Sequence, residues 1–159
     1  MKRIFNVQVE NRAGVLSKIA GLFARRCYNI DSLVVGETDD RTVSCMTIVS
    51  SGDERIMQQI EKQLNKKLDV IKVKTFEEQE SICKELMMMR IKYNSDNRKD
   101  IVENCAILGA KIVDMSTTAF LIEFCDTPDK IDLFIRMMRP LGIGEVSRTG
   151  VLAMPKCVD

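Results

Sequence analysis

The sequence predicts an α+β protein made of two βαββαβ sandwiches in tandem. Three observations carry that expectation. Some segments alternate apolar and polar residues, and others repeat apolar residues every three or four positions, the signatures of half-buried strands and amphipathic helices. The order strand, helix, strand, strand, helix, strand runs through residues 2–73 and then recurs. Between the two copies, the polar run 75–81 reads as a linker, which sets the units at 1–76 and 77–159.

Residues 2–10 form the first expected strand, with Phe5, Val7 and Val9 on one face and Asn6, Gln8 and Glu10 on the other. The turn 11–14 contains Gly14. Val15, Leu16, Ile19, Ala20, Leu22 and Phe23 then recur at helical spacing, and Arg25 and Arg26 suit the negative end of that helix. Tyr28 and Asn29 turn the chain into strands 30–36 and 42–49, joined by the polar turn 37–41. A capped loop at 51–53 precedes the helix face Ile56, Ile60 and Leu64, and a strand at 68–73 ends the first unit.

The second unit opens with a strand at 86–92 that carries Met87, Met88 and Met89. A helix with Ile101, Val102, Cys105 and Leu108 is stopped by Gly109. Strands 111–115 and 119–124 flank a tight turn. Pro128 starts a helix with Ile131, Phe134, Ile135 and Met138, at a position where a missing N–H is harmless. Pro140 and Gly142 end it, and 144–148 is the last strand. Two helices on one face of each sheet leave the other face and one strand edge open, and an exposed edge invites another chain.

Composition excludes several functions. The 159 residues carry a net charge of +1, too little to draw the chain to nucleic acid or a membrane, and only 5% are aromatic, too few for base-stacking platforms. No apolar run approaches the ~20 residues of a membrane span. The start, Met1-Lys2-Arg3-Ile4-Phe5-Asn6, lacks a signal-peptide core, so a cytoplasmic location is expected. The absence of histidine removes the commonest general base and metal ligand together. The six cysteines lie far apart, without a C-x-x-C pair, and read as buried or semi-buried thiols acting as small hydrophobes. No catalytic residue, resident cofactor or metal is expected in this chain.

The most informative stretch is the strand–glycine turn–helix at 9–16. A helix N-terminus presents unpaired N–H groups and partial positive charge, which suit a carboxylate. Gly14 lets a ligand approach the backbone. Asn11 offers a donor and an acceptor, and Asn29 offers an acceptor for an ammonium group. Val15, Leu16, Ile30 and Leu33 suit an aliphatic side chain. Together these describe the needs of an amino acid, while Asn11 and Asn29 equally suit simple caps and turns. Asp39 and Asp40 read as a solvated hairpin turn. Met87 to Met89 read either as a partner surface or as a strand buried on both faces. Lys62, Lys66 and Lys67 read as a solvated helix end, and Gly142-Ile143-Gly144 lacks the strand-to-helix setting of a phosphate loop.

Several blocks together resemble one family. They are Val9-Glu10-Asn11-Arg12-Ala13-Gly14-Val15-Leu16-Ser17, Ile19-Ala20-Gly21-Leu22-Phe23-Ala24-Arg25-Arg26 and Tyr28-Asn29-Ile30-Asp31-Ser32-Leu33, followed by Met46-Thr47-Ile48-Val49, residues 59–66 and 69–73. Ala110-Lys111-Ile112-Val113-Asp114, Asp129-Lys130-Ile131-Asp132 and Arg148-Thr149-Gly150 continue the pattern. In this order they resemble the small subunit of acetolactate (acetohydroxyacid) synthase.

The resemblance implies an N-terminal ACT domain and a C-terminal ferredoxin-like domain. It implies a homodimer through the ACT domains and binding to a large catalytic subunit that carries thiamine diphosphate, magnesium and FAD. It further implies that the small subunit activates that enzyme and makes it sensitive to feedback by valine in branched-chain amino acid biosynthesis. The effector would lie between two ACT domains, with Asn11, Gly14, Val15 and Leu16 from one chain and Asn29 and Ile30 from the other. Cys27 stands where the family usually has glycine, and Gly36 lies near the expected pocket rim. The alternative function is a free-standing amino-acid sensor that controls another enzyme or a transcription factor.

Overall fold

Strand β1, Lys2–Glu10, lies where the apolar alternation is cleanest, and Phe5, Val7 and Val9 are buried on one face of it. The computed structural model describes residues 1–157. The chain divides into two compact units, Met1–Cys83 with Val151–Asp159, and Lys84–Gly150. This differs from the expected 1–76 and 77–159 because the chain returns to the first unit after completing the second.

In the first unit, β1 pairs with β3 (Val43–Ser51) and β4 (Val70–Phe76), and β2 (Ser32–Glu37) pairs with β3, all antiparallel. The sheet order is β2-β3-β1-β4. Helix α1, Val15–Ala24, buries Val15, Ile19, Leu22 and Phe23, one stripe at helical spacing. Burying such side chains contributes about 1.5–3 kcal/mol each. Helix α2, Glu54–Asn65, starts at Asp53, whose carboxylate accepts the Ile56 N–H at 2.8 Å. Such a cap contributes about 1 kcal/mol. Its buried face is Met57, Ile60 and Leu64, with Ile56 only partly covered. Leu68 is 99% exposed, so β4 begins at Val70 rather than at 68.

The end of α1 shows how a local rule is met with the wrong residue. The Tyr28 N–H donates to Phe23 O at 3.0 Å and the Cys27 N–H to Ala24 O at 3.1 Å. This pair of bonds defines a Schellman turn, which needs a left-handed residue at its corner. Cys27 fills that corner at φ 53°, the one non-glycine residue with positive φ among those described. Arg25 and Arg26 lie just beyond the last helical residue rather than inside its final turn. In α3 (Arg98–Leu108) of the second unit, Gly109 takes the same corner at φ 78°.

The sheet face away from α1 and α2 is not bare. Ile4, Val49 and Phe76 bury themselves there with Cys83, Val151 and Ala153. The last two flank the start of β9 (Leu152–Pro155), a strand absent from the sequence reading, which pairs with β5. The expected linker 75–81 is largely structured: Thr75 and Phe76 end β4, and 78–80 form one 3-10 turn.

The second unit's strand order is β6-β7-β5-β8, with β5 at Ser81–Lys92, β6 at Lys111–Met115, β7 at Ala119–Asp126 and β8 at Ile143–Arg148. Helix α4 spans Pro128–Met138, and Ile131, Phe134 and Met138 are its buried face. Strand β5 starts at Ser81 rather than 86. Met87 and Met89 enter the core while Met88 is 38% exposed on the other face, so this strand is buried on one side only. Glu85 is buried, and Arg148 grips both its carboxylate oxygens at 2.7 and 2.8 Å while also reaching Asp132 at 2.8 Å. These partners, Glu85 first, raise the Arg148 pKa further above its ordinary value.

Two outcomes follow from this packing. Cys27→Gly relieves the left-handed strain and raises unfolding free energy by about 1 kcal/mol, read from urea denaturation. Alkylation of the native protein labels the exposed Cys27, Cys125 and Cys157 but spares Cys83 and Cys105 until denaturant is added. Burial pushes the Cys105 thiol up to about 11, which holds it in the unreactive neutral form. Peptide mass mapping reads the pattern.

Candidate functional site

Gly14 is the N-cap of α1, in the left-handed conformation at φ 84° and ψ −10°. No side chain caps this end. The Val15 N–H makes a 3.3 Å bond to Arg12 O, and Gly14 O accepts the Lys18 N–H at 3.0 Å. The next amides, at Leu16 and Ser17, point along the helix start without a side-chain partner. This is the positive end of the helix dipole. A Cβ built on Gly14 meets nothing within 4 Å, so the corner opens to space. Val15 belongs to the core, and its side chain is therefore not available to a ligand, whereas Leu16 is 44% exposed.

Asn11 is committed to structure. Its Nδ2 donates to Arg41 O at 2.9 Å and to Glu37 Oε1 at 3.3 Å. These bonds hold the glycine corner beside the end of β2. A cleft of about 430 Å³ runs alongside, lined by Glu10, Asn11, Arg12, Arg41, Thr42, Val43 and Ile71. Arg12 pairs with Glu10. Glu37 was not singled out from sequence. Its polar position at the end of an apolar strand carries no signal of the contact with Asn11.

Asn29 is exposed and Ile30 is partly buried against the first core. Asn29 Nδ2 donates to Asp31 Oδ1 at 2.6 Å, and its amide oxygen has no hydrogen-bond donor among the described residues. Its backbone carbonyl accepts from Ser50 Oγ at 2.7 Å. Asp31 also accepts from Ser51 Oγ. The segment is thus held rigidly just before β2.

The structure brings Asn11, Gly14, Val15 and Leu16 together at one end of α1 and Asn29 and Ile30 at the other. The ten-residue helix, about 15 Å long, lies between Gly14 and the turn that carries Asn29 and Ile30. One chain alone does not join the two groups.

The remaining candidates are structural. Asp40 accepts from Thr42 Oγ1 at 2.7 Å and from the Thr42 N–H at 2.9 Å, which hold its carboxyl below the usual range and close the β2–β3 hairpin. Gly142 turns the chain at φ 92° after α4. Among the described residues no group of three His, Cys, Asp or Glu side chains is placed to hold a metal ion, and no helix is long and apolar enough to cross a membrane.

Fold and glycine corner define the class first: a tandem ferredoxin-like protein whose first domain is an ACT domain. Residues 5–72 match the family model described as the AHAS small subunit-like ACT domain, and residues 84–157 match that of the small subunit of acetolactate synthase. The chain is 46% identical to a probable acetolactate synthase small subunit of Archaeoglobus fulgidus, covering 97% of this chain and 96% of that one. It is 39% identical to the acetolactate synthase isozyme 3 small subunit of Salmonella typhimurium, covering 98% and 96%. The crystal structure of the acetolactate synthase small subunit from Thermotoga maritima superposes with a TM-score of 0.94 at 30% identity, over 100% of this chain and 99% of that one. The chain belongs to the acetolactate synthase small-subunit family.

Gly14→Ala lowers stability by about 1 kcal/mol through backbone strain alone, since the new methyl meets no neighbour. Thermal and urea unfolding of the variant measure this.

Proposed function

We propose that this chain is the regulatory subunit of an acetolactate synthase, activating the catalytic chain and conferring feedback inhibition by valine. The observation that carries this reading is the edge of β2. Its sequence, Ser-Leu-Val-Val-Gly-Glu, has no lysine or proline to discourage pairing, and Val35 is 41% exposed. The opposite edge, β4, carries Lys72 and Lys74. Unblunted edges of this kind pair with other chains.

Antiparallel pairing of β2 with β2 of a second copy sets the end of one strand against the start of the other. The glycine corner lies by the end of β2, through the Asn11–Glu37 contact, and Asn29 and Ile30 lie before its start. Two copies therefore form two composite sites. Each offers helix-start amides to a carboxylate, the Asn29 amide oxygen to an ammonium group, and Leu16 with Ile30 to an aliphatic side chain. Valine fits that description.

The chemistry itself would take place on the catalytic chain, which would carry thiamine diphosphate, magnesium and FAD, in the cytoplasm. Effector bound between the copies would favour one dimer geometry, and the catalytic chain would respond differently to the two. Only this differential affinity shifts the equilibrium, by a coupling of about 1–3 kcal/mol.

Gly14→Asp tests the reading. The new carboxylate occupies and repels the anion site. Valine affinity, by calorimetry of the isolated chain, falls by at least about tenfold, equivalent to about 1.4 kcal/mol. Inhibition of the reconstituted enzyme disappears while activation persists. Unchanged valine inhibition in this variant rejects the site.

A further inference from the structure

The cluster on the outer face of the first unit's sheet contains two residues, Val151 and Ala153, that follow the second unit in the chain. Besides the pairing of β9 with β5, four hydrogen bonds among the described residues fasten this returning segment. The Val151 N–H donates to Ser32 Oγ at 2.8 Å, Asn6 Nδ2 to Ala153 O at 3.4 Å, the Lys156 N–H to Glu80 O at 2.9 Å, and Lys156 Nζ to Gln79 O at 2.8 Å. Of these, the first alone reaches β2.

Ser32 lies two residues after Ile30, and everything between is tied down. The Asp31 N–H donates to Val49 O at 2.8 Å, and Ser32 stands opposite Val49 in the β2–β3 register. Val49 packs in the same cluster as Val151. Residues 29–32 therefore carry the proposed half-site at their front and the seat of Val151 at their back. Val151 is 7% exposed and its bond to the serine hydroxyl is partly buried, so breaking that bond is unfavourable. Hydrogen bonds weaken steeply with distance and angle. A shift of residues 29–32 must either carry Val151 with it or break this bond.

We propose that Ser32 is a positioning residue that couples effector occupancy at Asn29 and Ile30 to the seating of Val151, and through the chain to the second unit that ends at Gly150. This rests on the effector reading above. By reciprocity, a change at Val151 alters effector affinity as well.

The test uses the enzyme reconstituted with its catalytic subunit, with valine as probe, and compares wild type, Ser32→Ala and Ser32→Thr. Ser32→Ala activates as wild type does and binds valine in calorimetry, yet the valine concentration for half inhibition rises about tenfold. Ser32→Thr keeps the hydroxyl and retains wild-type inhibition. In wild type, hydrogen exchange at the Val151 amide changes when valine is added. Inhibition of Ser32→Ala equal to wild type, or equal loss in Ser32→Ala and Ser32→Thr, overturns the proposal. So does unchanged Val151 exchange in wild type with valine bound, which needs no variant to fold. Failure of wild type to bind valine is a separate result: it removes the effector site and this coupling with it.

Discussion

An unpaired row of backbone groups along β2 is the constraint from which the functional reading grows. A strand edge must be paired, blunted or wetted. Strand β4 is blunted by two lysines, whereas β2 has neither lysine nor proline along its length. The helix that precedes β2 compounds the effect. Because α1 sets Gly14 and the Asn29 turn about 15 Å apart, the proposed effector contacts of one chain would remain in halves until a second edge arrives. In the dimer proposed above, dimer formation and site formation would be one event. That is how a small domain with little interior to spare would acquire a pocket.

Most of the fold was legible because it depends on periodicity. Phe5, Val7 and Val9 alternate, and Val15, Ile19, Leu22 and Phe23 recur at helical spacing, so β1 and α1 were placed almost to the residue. Errors came where burial depends on a distant partner. Leu68 looks like the start of a strand, yet no element covers it. Phe76 looks like part of a linker, yet it is buried by residues from the far end of the chain. Strand β9 escaped notice for the same reason. Four apolar residues, of which only Ala153 is buried, carry no alternation to stand out, and they pair with β5, far away in the sequence.

The glycine turn at the start of α1 was legible in the sequence, but the contacts around it were not. Glycine in the left-handed conformation at the start of α1 follows from its place in the turn. That Asn11 is spent on holding Glu37 and Arg41, and that Val15 turns its side chain into the core, required the third dimension. Cys27 was the reverse case. It stands where the family usually has glycine, and its positive φ follows from the hydrogen bonds of the Schellman corner rather than from the residue that occupies it.

The return of the chain to its first unit has a consequence for biosynthesis. Ile4, Val49 and Phe76 precede the second unit in the chain, but the residues that cover them, Val151 and Ala153, emerge from the ribosome only after the whole of that unit. While the second unit is being made that apolar face stays wet, and contacts of such long sequence separation close slowly. Exposed surface of this kind on a nascent chain is a target for chaperones or for premature association. The second unit, contiguous from Lys84 to Gly150, can mature before the first is finished.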